Sequence, residues 1–154
     1  MKIKTRKFGE IQIEEEQILT MPEGLPGFPG FEKFVVVELK DTAPFCWFQS
    51  VEEPNLNLVM ISPFYFMPDY DPELDIIMEI RNWHDTKKEA FEVYVVVNIM
   101  GEGDTKQITA NLMGPIVINR EKKEAVQFVF SNSVYSHRHD VLKSLDKIKL
   151  ITDE

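Results

Sequence analysis

Short apolar runs bounded by turn-forming residues recur along the chain, and they predict β-strands. The strongest run is 91–100 (FEVYVVVNIM), which is apolar on both faces near its centre and therefore predicts a central strand. Residues 34–39 (FVVVEL) and 45–51 (FCWFQSV) are rich in the β-branched and aromatic residues that strands favour. Further strands are predicted at 56–61, 106–113, 116–119 and 125–130.

The N-terminal segment alternates with the period of two that is typical of a half-buried strand. In residues 2–7, Ile3, Thr5 and Lys7 alternate with the basic Lys2, Lys4 and Arg6, and residues 11–14 alternate isoleucine with polar side chains. A turn at Gly9-Glu10 between these two segments predicts a β-hairpin. A short third strand is predicted at 17–20.

Helical spacing of apolar residues occurs in two places. The first predicts a short amphipathic helix from Ile76, Ile77, Ile80 and Trp83, with Glu73 and Asp75 at its N-terminal end. The second involves Val141, Leu142, Leu145 and Ile148, and it predicts either a short C-terminal helix or a partly ordered tail.

The predicted elements define an all-β fold. About nine or ten short strands with at most two short helices favour a small antiparallel β-barrel-like or sandwich domain over a βαβ arrangement. A chain of 154 residues is most simply one such domain. No apolar run approaches the roughly 18 residues that span a bilayer, so we expect no membrane partner.

Residues 21–34 (MPEGLPGFPGFEKF) combine three prolines with three glycines and predict a rigid, turning connection. Leu25, Phe28 and Phe31 are its expected apolar anchors. Turn chemistry explains every residue in it, so a structural corner is favoured over a binding loop. A second bend, Gly114-Pro115, predicts a hairpin over 109–119.

The net charge is −9, and the acids are concentrated in one half of the chain. Residues 10–75 hold 14 acids and two bases, a net charge of −12, whereas residues 1–7 hold four bases. An acidic surface repels phosphate backbones, so direct nucleic-acid binding is not expected. The same field would speed encounter with a basic protein, although acidity that merely maintains solubility remains the alternative.

The sequence contains no strong catalytic or cofactor motif, so we expect no cofactor. His137 and His139 are two residues apart and could serve a metal, but no nearby carboxylate or cysteine completes a tetrahedral set. The alternating acids from Asp69 resemble a calcium loop but lack its glycine and its final acid. Cys46 is the only cysteine, which fits a reducing, cytoplasmic setting, and we expect it to be buried and inert.

The segment 63–75 (PFYFMPDYDPELD) carries more aromatic surface than a connection needs. Aromatic anchors surrounded by charge are typical of protein interfaces. The candidate partner-binding residues are Phe64, Phe66, Asp69, Tyr70, Asp71 and Glu73. The alternative is that some of these aromatics plug the end of a barrel, because phenylalanine is usually buried.

Several motifs occur in the order seen in one known family. They are Phe8-Gly9, Gly24-Leu25-Pro26-Gly27-Phe28, Phe48-Gln49-Ser50, Pro63-Phe64, Pro68-Asp69-Tyr70, Thr109-Ala110-Asn111-Leu112, Gly114 to Asn119, Tyr135 and Arg138-His139. In this order the chain resembles the flagellar assembly factor FliW family over about residues 1–142. It departs from the family in a repeated Pro-Gly-Phe at 29–31 and in Gly114, where alanine is usual.

The resemblance implies a single FliW-like β domain over 1–142, followed by a C-terminal tail or short helix over 143–154. It implies a non-enzymatic cytoplasmic regulator that binds flagellin. It also implies binding to CsrA, a small basic RNA-binding translational regulator, whose repression of flagellin mRNA would be relieved by partner switching. We expect the acidic side chains to serve CsrA and the aromatic loop to serve flagellin. The alternative is a small metal-binding or hydrolytic β protein that uses His137 and His139.

Overall fold

Seven of the eleven strands in the described part of the chain close into a barrel. The computed structural model describes residues 1–130 and 134–145. The strands are β1 (Lys2–Thr5), β2 (Gly9–Gln12), β3 (Leu19–Thr20), β4 (Lys33–Glu38), β5 (Cys46–Ser50), β6 (Asn57–Ile61), β7 (Phe91–Met100), β8 (Gln107–Ala110), β9 (Ile116–Asn119), β10 (Glu124–Gln127) and β11 (His139–Asp140). The helices are α1 (Leu74–Ile80), a segment at 141–145, and single 3-10 turns at Glu15–Gln17, Lys40–Thr42, Pro63–Tyr65, Lys88–Ala90 and Gly103–Thr105.

Strand β7 closes the barrel because it pairs with three other strands. The ring runs β7-β6-β5-β4-β3-β10-β9 and returns to β7. Strand β9 pairs with the first half of β7, from Phe91 to Tyr94, and β8 pairs with its second half, from Val97 to Met100. The barrel strands pair antiparallel except at one parallel bridge between β3 and β10. The predicted all-β, antiparallel barrel-like class is therefore confirmed.

Alternate residues of the barrel strands point inward and form its core. The rings of Phe34 and Phe48 stack at 4.5 Å in this core. The buried members of the cluster are Leu19, Met21, Leu25, Phe34, Cys46, Phe48, Leu56, Met60, Ile116, Ile118 and Ala125. Packing of this kind is the largest favourable contribution to the folding of such a domain.

The outward-facing residues of the barrel strands are also buried, because other segments cover them. The β1–β2 hairpin packs Ile3 and Ile13 on Val35 of β4. Helix α1 and Trp83 cover Val117 of β9. The loop after β6 and the segment at 141–145 cover the outer face of β6, β7 and β8. This double coverage explains why these strands read as continuous apolar runs.

The turn of the N-terminal hairpin lies earlier than predicted, so the prediction of a Gly9-Glu10 turn was wrong. Gly9 belongs to β2 and pairs with Thr5. The Thr5 hydroxyl donates to the Gly9 carbonyl (2.8 Å) and accepts the Phe8 N–H (2.9 Å). These side-chain bonds stabilise a turn at residues 6–8, and Gly9 takes a left-handed φ of 70°.

Residues 109–119 do not form the predicted hairpin. Strands β8 and β9 both pair with β7, and residues 111–115 bulge out opposite two residues of β7. Strand β11 was not predicted.

In the Pro/Gly loop Leu25 is buried and Phe31 is half-buried, but Phe28 is exposed and is not the anchor that we expected.

Helix α1 begins at Leu74 and ends before Trp83, because Asn82 takes a left-handed φ of 59°. The predicted C-terminal helix begins at residue 141. Ile148, which was expected to belong to it, lies in 146–154, outside the described residues. No helix in residues 1–130 and 134–145 is long and apolar enough to cross a membrane.

Candidate functional site

The loop after β6 divides the predicted partner-binding residues into a buried group and an exposed group. Phe66 and Tyr70 are buried, so their side chains are not available to a partner in this structure. Phe64 is 43% exposed, and the side chains of Asp69, Asp71 and Glu73 are exposed as well. A partner-binding role for this loop therefore depends on the exposed group.

The two buried aromatics fix the loop to the outer face of the barrel. The Tyr70 hydroxyl donates to the backbone carbonyl of Leu112 at 2.7 Å. Its ring lies 4.7 Å from that of Tyr135, and the ring of Phe66 stacks on His139 at 5.6 Å. Burial, together with the nearby Tyr135 and acids, raises the pKa of Tyr70 above its usual value, so it remains a neutral donor.

The surface of this loop is formed by acids that are positioned through the backbone. The Asp71 N–H donates to the Tyr135 hydroxyl at 2.9 Å, and the Asp71 carboxylate accepts the Glu73 N–H at 2.8 Å. Glu73 has a left-handed φ of 51°, which is an uncommon conformation for a residue with a side chain. Asp71, Glu73 and Asp75 line a shallow cavity of about 360 Å³, where Lys88 pairs with Asp75 at 3.2 Å.

Helix α1 adds apolar residues to this acidic surface. Ile77 is buried against the barrel, whereas Ile76 and Ile80 are exposed and lie one turn apart. The sequence pattern placed these two isoleucines on the buried face, and that prediction was wrong. We name residues 64–80 the loop–helix segment. It holds five acids and no base, together with the exposed side chains of Phe64, Ile76 and Ile80.

A charged cluster at one end of the barrel was not predicted. Glu92 pairs with Arg120, and the Tyr94 hydroxyl donates to the Glu92 carboxylate at 2.7 Å. Burial pushes the pKa of Glu92 upward, but the hydrogen bonds from Arg120 and Tyr94 outweigh this and hold it below its usual value. Glu38 and Tyr94 help to line an adjacent cavity of about 230 Å³. The cluster combines two residues of β7 with Arg120, which follows β9 and lies 28 residues beyond Glu92, so no local motif could reveal it.

The two histidines of the alternative prediction have different surroundings. His137 is exposed, whereas His139 is half-buried, stacks on Phe66 and lies 2.6 Å from the Ser144 hydroxyl. Within residues 1–130 and 134–145, no three histidine, cysteine or acidic side chains are grouped so as to hold a metal ion. Cys46 is buried as predicted, and burial raises the pKa of its thiol to about 12.

The fold and this surface define a small closed β-barrel with an acidic, partly apolar loop and helix on its outside. Its sequence matches the family model described as FliW protein over residues 2–141. The chain therefore belongs to the FliW family of flagellar assembly factors, as its motifs suggested.

Individual relatives agree with this assignment. The chain is 35% identical to the flagellar assembly factor FliW of Alkaliphilus metalliredigens (strain QYMF), with 97% of this chain and 91% of the relative covered. It is 40% identical to that of Bacillus licheniformis, with 88% and 92% covered. A crystal structure of the flagellar assembly factor FliW superposes with a TM-score of 0.79 at 34% identity, covering 92% of this chain and 96% of that one.

Proposed function

We propose that this flagellar assembly factor is a non-enzymatic cytoplasmic regulator that binds flagellin and CsrA as alternative partners. When flagellin is abundant, it occupies the protein and CsrA is free to repress translation. When flagellin is exported, the protein is released and sequesters CsrA. The family assignment supports the role in flagellar assembly, and the two partners come from the family resemblance.

The loop–helix segment is the observation that carries this proposal. Five acids without a base attract a basic protein such as CsrA and raise its association rate. Phe64, Ile76 and Ile80 supply exposed apolar area among these acids, which is the usual composition of an interface centre with a charged rim. The buried Phe66 and Tyr70 hold the segment in place, so little order has to be gained on binding.

The division of this segment between the two partners is also proposed. The acids from Asp69 to Glu79 serve CsrA, since their charge is opposite to that of a basic dimer. Phe64 and its neighbours serve flagellin through apolar contact. The ring centre of Phe64 lies 6.3 Å from that of Tyr70, which directly precedes the acid Asp71. Both partners would therefore occupy adjoining surface and would exclude each other.

A competition experiment tests the proposal. The purified protein is first saturated with CsrA, flagellin is then added, and the complexes are separated by size and identified by mass. We expect two binary complexes and release of CsrA in proportion to the added flagellin. A stable ternary complex would contradict mutual exclusion, and failure to bind either protein would contradict the proposed partners.

A further inference from the structure

The cavity of about 230 Å³ lies at the end of the barrel where β4 and β6 finish and β5 begins. It is lined by Glu38, the last residue of β4, by Cys46, the first residue of β5, and by Tyr94 of β7. Side chains alternate along a strand, so Glu38 points to the same face of β4 as the core residue Phe34. The cavity is therefore at the mouth of the barrel, a frequent position for a binding site in closed sheets.

The charge at this mouth is incompletely balanced. Arg120 is held by the Glu92 carboxylate, which accepts hydrogen bonds from its Nε and, at 3.2 Å, from its terminal nitrogen. The side chain of Glu38 is exposed and forms no ion pair within residues 1–130 and 134–145. Its charge acts inside the cavity, since after burial it is the next cause of the raised pKa of the Cys46 thiol. One carboxylate is thus available to a cation.

Aromatic and apolar side chains form much of the cavity wall. Phe45 and Tyr94 are half-buried, whereas Tyr65 is 57% exposed and Leu39 is 43% exposed. Aromatic rings attract cations, and guanidinium groups in particular stack on them. An unpaired carboxylate among three aromatic residues therefore favours an organic cation over an anion or a neutral ligand.

These features fit arginine better than lysine, and a protein better than a free cation. A guanidinium group is planar, so it can donate two parallel hydrogen bonds to a carboxylate while it stacks on a ring. An ammonium group is more strongly hydrated and lacks this geometry. The exposed Leu39 and Tyr65 would stay uncovered beside a small free cation, whereas an apolar residue next to an arginine would cover them.

We propose that this cavity binds the arginine side chain of a protein partner that carries an apolar residue beside the arginine. Glu38 would accept two hydrogen bonds from the guanidinium group, Tyr65 would stack on it, and Leu39 would contact the apolar neighbour. The protein source rests on the proposed function, because Tyr65 belongs to the loop–helix segment. The guanidinium site itself is a property of the barrel mouth, so short peptides test it without flagellin or CsrA.

Nuclear magnetic resonance of the isotope-labelled protein tests the site with the capped peptide acetyl-Leu-Arg-Leu-amide. Two matched peptides replace the arginine by lysine or by citrulline, which has nearly the shape of arginine but no charge. Methylguanidinium alone is the fourth ligand. All titrations are made at constant ionic strength and followed through the backbone amide signals of Leu39 and Cys46. The amide of Phe28, in the loop before the other end of β4, is the reference.

We expect saturable shifts of the Leu39 and Cys46 signals with the arginine peptide, weaker binding of the lysine peptide and none of the citrulline peptide. Glu38→Gln should weaken binding about tenfold or more, because it removes the charge that pairs with the guanidinium group. Glu32→Gln is the matched control, since Glu32 is also an exposed acid of this region without an ion pair. It should change the affinity less than about twofold. Both variants should keep the urea midpoint of the wild type.

Several results would overturn the proposal. Absence of saturable shifts, or equal affinity for the citrulline peptide, would mean that no cation is recognised. Equal affinity for the lysine peptide would remove the role of the guanidinium group. Equal losses in Glu38→Gln and Glu32→Gln would mean that only the general acidic field acts. Methylguanidinium that binds as tightly as the peptide would contradict the protein source.

Failure of this site is distinguishable from failure of the proposed function. If the arginine peptide does not bind while the competition experiment still gives two binary complexes, the barrel-mouth site is wrong and the proposed function stands. If the peptide binds as expected but neither flagellin nor CsrA does, the guanidinium site stands and the proposed partners are wrong.

Discussion

The Tyr70 hydroxyl donates a hydrogen bond of 2.7 Å to the backbone carbonyl of Leu112, which lies 42 residues further along the chain. This contact ties the loop after β6 to the bulge between β8 and β9. Both residues are buried, so the carbonyl has no access to water if the hydroxyl is removed. The bond thus makes Tyr70 part of the scaffold beneath the loop–helix segment.

Tyr70→Phe should lower the free energy of unfolding by about 1–2 kcal/mol, because it leaves a buried carbonyl without its donor. The measurement is urea denaturation, with a lower midpoint and an unchanged slope expected. Partner affinity per folded molecule should not change. The exposed Tyr65→Phe is the matched control and should have no effect on stability. An unaltered Tyr70→Phe midpoint would mean that the hydrogen bond adds no stability.

Asn119 should also prove structural. Its side chain is fully buried, its NH₂ donates to the Thr86 hydroxyl at 2.9 Å, and its carbonyl accepts the Lys122 N–H at 3.1 Å. Asn119→Ala should cost about 2 kcal/mol of stability, since the buried Thr86 hydroxyl and the Lys122 N–H both lose their bonds. Thermal unfolding of this variant beside the exposed Asn55→Ala measures the effect. A stable Asn119→Ala protein that no longer binds its partners would contradict the structural role.

Cys46 should be almost unreactive in the native protein. Burial raises the pKa of its thiol to about 12, so at pH 8 the reactive thiolate is a fraction of roughly 10⁻⁴. Labelling by a thiol reagent should therefore be about 1,000-fold slower than in urea-unfolded protein. If the native protein were labelled at a rate near that of the unfolded chain, Cys46 would not be buried and unreactive as predicted.

The raised pKa of the Cys46 thiol also affects the stability of the fold at high pH. The folded protein holds the thiol proton more tightly than the unfolded chain, whose pKa is near the ordinary value of 9.0. The resulting stability is complete below pH 9 and is lost as the pH rises towards 12. Cys46→Ala should therefore lose less stability over this range than the wild type, which parallel urea titrations at each pH would reveal.

Phe64 should be a binding anchor with little role in folding. Phe64→Ala should weaken binding of flagellin by about 2 kcal/mol, mainly through faster dissociation, while stability is retained. Phe28 provides a matched control, because it is also 43% exposed but lies in the Pro/Gly loop. Dissociation rates of both variants distinguish the two sites. Equal losses would indicate that general surface apolarity, and not this loop, determines affinity.

The strands were the easiest part of the fold to predict. Strand β7 was expected at 91–100 and is observed at Phe91–Met100, because burial on both faces gives an unmistakable apolar run. The hairpin turn was misplaced, since the Thr5 hydroxyl bonds that define it are not visible as a pattern. Closure of the barrel through the two halves of β7 was equally invisible, because pairing partners are far apart in sequence.

The loop–helix segment was only partly predictable. Irregular chain has no period, so the sequence could not separate the exposed Phe64 from the buried Phe66 and Tyr70. Ile76 and Ile80 of α1 were assigned to the wrong face for a different reason. Trp83 appeared to continue their helical stripe, but the left-handed Asn82 redirects the chain, and Trp83 packs from outside the helix. The exposure of the acidic side chains could be predicted without knowing the fold, because charged side chains are almost always exposed.

In the proposed function, the acids of the loop–helix segment attract a basic partner. The test compares the wild type, the variant Asp69→Asn/Asp71→Asn/Glu73→Gln, and a control that removes the same charge at exposed acids elsewhere, Glu102→Gln/Asp104→Asn/Glu121→Gln. The Asp71→Asn side chain keeps an oxygen to accept the Glu73 N–H, so the loop should retain its shape.

The decisive measurement is the association rate of each protein with CsrA at low and at high salt. We expect the Asp69/Asp71/Glu73 variant to associate more slowly than the control at low salt, with a flatter salt dependence, and the three rates to converge at high salt. Association rates and salt slopes indistinguishable from those of the wild type would contradict the claim and direct attention to the acids from Glu10 to Glu16.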